Sequence, residues 1–202
     1  MDKKAYPVTV TGELSHPPSP ALWLIKWLLL IPHYIILSFL WIAYFFVAII
    51  AFFAILFTGR FPRGLFEFNV GVLRWTWRVG FYGYSALGTD KYPPFSLKSE
   101  DYPADLTVDY PEKLSPGLVL IKWWILAVPH YFVVGVLNGG FGISRAGLGT
   151  ILALFGAIAR MFSDRYPEDI FKLVVGINRW SYRVAAYAGL MTDAYPPFRL
   201  WD

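Results

Sequence analysis

Two histidines sit in matching contexts, Pro32-His33-Tyr34 and Pro129-His130-Tyr131. Paired imidazoles can ligate one haem iron, so this pattern admits a haem-binding electron-transfer subunit as an alternative function. Neither a supporting carboxylate nor a further histidine pair accompanies them. The plainer expectation is a histidine in the first turn of a membrane helix, bonded to a backbone carbonyl or a lipid phosphate. A second constellation is basic. Glu67, Gly71, Arg74 and Arg78 fall at i, i+4, i+7 and i+11, and Lys172, Gly176, Arg179 and Arg183 repeat the spacing, which draws one polar stripe along each of two otherwise apolar helices. Guanidinium forks match phosphate bidentately, and Trp75 and Trp180 beside them suit headgroup depth, so these six residues predict two sites for anionic lipid headgroups. The competing expectation is that the stripes are buried against protein, because four arginines facing lipid would cost about 10–14 kcal/mol.

Other chemistry is sparse. Asp90 and Asp193 each stand in Thr-Asp-x-Tyr-Pro-Pro-Phe just past a helix end, which is turn chemistry rather than an acid/base pair. His16, in Ser15-His16-Pro17-Pro18, belongs to a solvated proline-rich linker. The chain has no cysteine, no Ser-His-Asp order, no phosphate-cradling glycine loop and no cluster of metal ligands, so no catalytic residue, metal site or enzymatic function is expected. A net charge of +4 fits contact with anionic lipid, and its basic residues are too scattered for a nucleic-acid groove.

The elements that carry these residues are those of a membrane protein. Apolar residues make up 56% of the chain and charged residues 16%, against about 45–50% and about 25% in soluble domains, and the excess comes in blocks. The longest block, Leu22 to Phe57, has no formal charge between Lys26 and Arg60. As one helix it would be roughly 54 Å long, more than a bilayer core needs, and Pro32 predicts a break. Residues 22–31, with Trp23, Lys26 and Trp27, are expected near the headgroups, and His33 to Phe57 in lipid. No apolar signal region precedes Ala21, so no cleaved secretory leader is expected.

The chain repeats itself. Leu24-Ile25-Lys26-Trp27 recurs as Leu120-Ile121-Lys122-Trp123, Arg60-Phe61-Pro62 as Arg165-Tyr166-Pro167, and Arg74-Trp75-Thr76-Trp77-Arg78 as Arg179-Trp180-Ser181-Tyr182-Arg183. Repeat 1 covers residues 1–98, with a membrane segment at about 22–57 and an amphipathic helix at about 64–87. Repeat 2 covers 99–202, with membrane segments at about 117–137 and 146–162, separated by Asn138-Gly139-Gly140-Phe141-Gly142, and an amphipathic helix at about 168–190. About eight extra residues lie in that break, so each apolar region is either a kinked span or a re-entrant hairpin. Strand candidates open each repeat (Val8–Thr11, Asp105–Asp109) and close it (Phe95–Leu97, Phe198–Trp201), predicting a small four-stranded cap outside the membrane, with Lys98–Asp101 as a hairpin turn. The fold class expected is a mainly α membrane protein of two pseudo-symmetric tandem repeats. With all strands on one side, Lys3, Lys4, Lys26, Lys91, Lys98, Lys113, Lys122 and Arg199 oppose Arg60, Arg63, Arg160, Arg165 and Lys172, which places both termini in the cytoplasm.

The run LFTGRFPRGLFEFNVGVLRWTWRVGFYGYSALGTDKYPPFSL, preceded by Ile31-Pro32-His33-Tyr34, resembles a family of bacterial integral membrane proteins of unknown function with this tandem repeat. The resemblance spans nearly the whole chain, although Phe162 to Pro167 departs from the FTGR-P pattern. It implies a bacterial integral membrane protein and brings no catalytic residues and no cofactor; the two long uncharged blocks, with Trp and Lys at their starts, place it by expectation in the inner membrane. The expected role is a non-enzymatic, lipid-contacting scaffold or accessory subunit, with anionic lipid, a membrane-protein partner or a second copy as partner. A small transporter component is a further alternative.

Overall fold

The computed structural model describes residues 5–14, 18–139, 147–163 and 166–201. Lys3, Lys4, His16, Gly140 to Gly142 and Arg165 lie outside them. Helix dominates. A 3-10 turn (Leu22–Leu24) and the short α1 (Lys26–Leu29) lead into α2 (Ile31–Thr58) and α3 (Arg63–Tyr82). In the second repeat α4 (Pro116–Val119), a π-helical turn (Lys122–Leu126), α5 (Val128–Asn138) and α6 (Leu148–Phe162) precede α7 (Glu168–Ala188). The break expected at Pro32 is there. Pro32 occupies the first turn of α2, where its missing N–H has no intrahelical partner to lose.

The two repeats differ by insertions that the backbone absorbs locally. Repeat 2 has one more residue than repeat 1 between its Lys-Trp pair and its Pro-His pair, and the π-helical turn Lys122–Leu126 takes it up. The larger insertion falls at Asn138, whose counterpart in α2 is Trp41. A Cβ on Gly147 would collide with the Asn138 backbone, so the chain leaves and returns at one point. Trp41 donates to Thr76 Oγ1 (3.2 Å) and Asn138 to Ser181 Oγ (2.9 Å), the same contact in each repeat. Eleven residues of α5 and fifteen of α6 therefore follow the path that twenty-eight residues of α2 take unbroken. Residues 117–137 are divided among α4, the π-helical turn and α5, whereas α6 covers 148–162 as one helix of fifteen residues; among the described residues only α2 is long and apolar enough to cross a membrane.

Among the described residues there are two strands where four were expected. β1 (Val8–Gly12) pairs antiparallel with β2 (Ala104–Val108), with Val10 opposite Leu106. Phe95–Leu97 and Phe198–Trp201 are not strands, and Lys98–Asp101 turns no hairpin. The closing segments instead cross the Arg-bearing helices. Leu97 passes over Gly71 and Leu200 over Gly176, so close that a Cβ would stand 2.7 Å from Leu97 Cβ and 3.0 Å from Leu200 Cβ. Glycine in each stripe is thus a clearance for backbone.

The layers are the sheet, then α3 with α7, then α2 with α5 and α6. β2 packs on α3 and β1 on α7, so each strand is donated to the other repeat's helix. Trp77 meets Tyr182 and Phe81 meets Phe171 edge-to-face across the middle layer. Inside α3, Asn69 is fully buried and its amide has no hydrogen-bond partner, while its counterpart in α7 is Val174. Asn69→Val is expected to stabilise the protein by about 1 kcal/mol, the cost of an unpaired buried amide less that of a β-branched residue in a helix. Thermal unfolding in detergent checks it; a lower midpoint would mean that the amide holds a buried water.

Candidate functional site

The three motif runs of each repeat converge on one histidine. Trp75 Nε1 donates to His33 Nδ1 at 3.0 Å, Phe95 stacks on the imidazole at 4.0 Å between centroids, and Tyr92 leans on it at 4.9 Å. In repeat 2 Trp180 Nε1 donates to His130 Nδ1 at 3.0 Å, with Phe198 at 4.2 Å and Tyr195 at 4.8 Å. A nitrogen that accepts cannot carry the proton, so each neutral imidazole holds it on Nε2. Both histidines are 0% exposed. Each is closed in by rings of its own repeat, with its Nε2 buried. Trp75 and Trp180, expected at headgroup depth, point inward as the cage donors.

An ion pair between a buried lysine and a partly exposed aspartate closes each repeat. Lys26 Nζ lies 2.9 Å from Asp90 Oδ1 and donates to Thr89 O at 2.6 Å; Lys122 Nζ lies 2.8 Å from Asp193 Oδ1 and 3.1 Å from Thr192 O. The second carboxylate oxygen accepts the backbone N–H of Ser19 or Ser115, so each aspartate ties the Ser-Pro lead-in to the buried lysine. Tyr82 and Tyr187 offer ring faces to the ammonium groups at 4.5 and 5.6 Å. Burial pushes both lysines below their ordinary pKa, and the aspartate bond pushes back. These residues correct two expectations. Lys26 is not a headgroup anchor, and Asp90 and Asp193 are more than turn formers. The turn that delivers them holds Leu87 and Leu190 at positive φ (52° and 66°), with both side chains buried.

The arginine stripes are internal brackets, not headgroup sites. Arg74 Nε donates to Leu106 O (2.8 Å) and Nη1 to Leu97 O (3.0 Å), with Asp105 Oδ1 at 3.1 Å. Arg78, its side chain 0% exposed, reaches Ser96 O, Lys98 O and Asp105. Arg179 donates to Val10 O and Leu200 O, both at 3.2 Å, and Arg183 is buried over the Tyr6 ring. Val10 and Leu106 face each other in the sheet, so Arg74 and Arg179 grip the two members of one cross-strand pair. Arg74, Arg78 and Arg179 use strand and loop carbonyls that a wider sheet would have paired.

What the sequence reading missed, the repeat itself could have flagged. Charges that differ between copies, such as Glu67 against Lys172 or Lys91 against Ala194, sit outside the core. Identical ones (Lys26 and Lys122, Arg74 and Arg179, Arg78 and Arg183, Asp90 and Asp193) are all engaged in internal bonds or packing. The orientation count also changes, because Lys26 and Lys122 are buried and Lys113 shares a pocket with Arg60, which it was expected to oppose.

The outer layer is apolar. On α2 one narrow line of residues, His33, Leu37, Tyr44, Ala51 and Ile55, is buried against the protein. The rest of its surface exposes Phe39, Phe45, Phe46, Ile50, Phe53 and Phe57 among others, and α5 and α6 expose Phe132, Val136, Ile151, Phe155 and Phe162. No group of three or more metal-ligating side chains occurs among the described residues.

No curated protein and no solved structure matches the chain. A family model described as Domain of unknown function (DUF4389) matches it twice, at residues 20–96 and 119–199, and these two tandem copies, which include both cages, both ion pairs and all four arginines, place the protein in that family.

Proposed function

We propose that the protein is a non-enzymatic integral membrane module of the bacterial inner membrane, in which α2 makes one crossing and α5 with α6 makes a second. The observation that carries this reading is the outer face of α2: twenty-eight residues without a formal charge, about 42 Å long, with phenylalanines and isoleucines outward and only one line of contact inward. So large an exposed apolar surface is unfavourable in water and ordinary in lipid. Its role on this reading is to contact lipid and to serve as a scaffold or accessory subunit. The charged residues common to both repeats within the described part of each copy are used in holding the fold, and His33 and His130 are shut in aromatic cages.

The test is extraction. Membranes from an expressing strain, washed in alkaline carbonate and then in high salt, are expected to retain the protein until detergent is added. Release into the carbonate supernatant would overturn the reading.

A further inference from the structure

One charged group kept in the repeat pattern is not used internally. Arg60 follows α2 at Gly59, and its counterpart by sequence is Arg165, outside the described residues. Arg60 is exposed, and with Lys113, Thr58, Gly59, Leu114 and Pro116 it lines a pocket of about 450 Å³. Leu114 N donates to Gly59 O at 2.8 Å, which fastens the second repeat's lead-in against the end of α2 and sets Lys113 beside Arg60. Among the described residues neither cation's side chain has an ion pair or a hydrogen bond, in contrast to the buried lysines and arginines above. Two like charges in one pocket repel, and an anion between them removes that repulsion. The negative end of the α2 dipole favours cations here but does not need two.

Location identifies the anion. The pocket lies at the C-terminal end of α2, whose last turns before the lining residues Thr58 and Gly59 expose Phe53 and Phe57, the latter to 79%. A ligand with its charge between Arg60 and Lys113 and its apolar part along Phe57 and Phe53 is an anionic glycerophospholipid, and the volume suits a phosphoglycerol headgroup. We infer that the Arg60–Lys113 pocket binds the headgroup phosphate of an anionic phospholipid whose acyl chains lie along the C-terminal half of α2. This inference rests on the membrane reading and gives it a defined lipid site, in place of the arginine stripes.

The experiment uses the full chain reconstituted in phosphatidylcholine vesicles with or without phosphatidylglycerol. It reads lipid co-purified after mild detergent, by mass spectrometry, and thermal unfolding by tryptophan fluorescence. At about 1 kcal/mol per basic residue near the phosphate, the Arg60→Gln, Lys113→Gln double variant is expected to bind phosphatidylglycerol about 30-fold more weakly and to lose the stabilisation that this lipid confers. A charge-matched control, Lys98→Gln with Lys172→Gln, is expected to behave as wild type. Equal loss in both variants would overturn the site in favour of diffuse attraction, and unchanged retention in the first variant would overturn it outright. Equal stabilisation by inorganic phosphate in neutral vesicles would make the ligand free phosphate and overturn the lipid assignment. The membrane reading stands or falls separately, on whether the wild type stays in neutral vesicles through a carbonate wash.

Discussion

Asp90→Ala is expected to destabilise the protein by about 3 kcal/mol or more, and Lys26→Met in the same background to restore most of the loss. Removing one partner of a buried ion pair strands the other, which costs about 3–5 kcal/mol, whereas replacing both with neutral groups of similar shape is often harmless. Lys26 is 1% exposed and keeps only Thr89 O and the Tyr82 ring when the carboxylate is gone. Ser19 N loses its acceptor in the same variant, so the lead-in to α2 should loosen as well. Asp193→Ala and Lys122→Met should reproduce the pattern in repeat 2, where Ser115 N plays the part of Ser19 N. A double-mutant cycle read by thermal unfolding in detergent decides the matter. A cost under about 1 kcal/mol for Asp90→Ala would show that the ammonium finds water, as exposed pairs do.

Cutting the chain between Lys98 and Ser99 should leave two halves that cannot fold alone and that reassemble when produced together. The sequence divides there, but the structure does not. In residues 1–98 alone, Arg74 loses Leu106 O and Asp105, Arg78 loses Asp105, and β1 loses its partner β2. Residues 99–202 alone lose Val10 O from Arg179 and the Tyr6 ring from Arg183. Arg74 keeps Leu97 O and Arg78 keeps Ser96 O and Lys98 O, but both lose their carboxylate, and breaking such a pair, at about 3–5 kcal/mol, is already a large share of the about 5–15 kcal/mol of an ordinary protein. Co-expression with a tag on one half should recover both halves after detergent extraction, and either half expressed singly should be degraded or aggregate. A monomeric 1–98 fragment with a cooperative unfolding transition would refute the exchange of strands as a determinant of stability.

Local pattern determined a good deal by itself. The duplication, the helical character and the break at Pro32 follow from periodicity, hydropathy and proline chemistry, each of which acts within a few turns of chain, whereas the choice between an unbroken α2 and a re-entrant hairpin came only with the structure. The spacing of Gly71, Arg74 and Arg78 placed them on one face of α3, as they are. It could not say what that face meets. Whether a guanidinium bonds a phosphate or a carbonyl depends on which backbone groups the rest of the chain leaves unpaired nearby, and here Leu106 O and Val10 O are presented by strands from the opposite repeat. The fate of Lys26 and Asp90 was hidden for the same reason, since sixty-three residues separate the Nζ of Lys26 from the carbonyl of Thr89 that it meets. The segments at Phe95 and Phe198 have strand-like composition, yet strand formation is a pairing reaction, and their carbonyls are taken by arginine side chains instead. Periodicity sees one helix face at a time, while hydrogen-bond satisfaction is settled between elements, and only the tertiary structure brings those elements together.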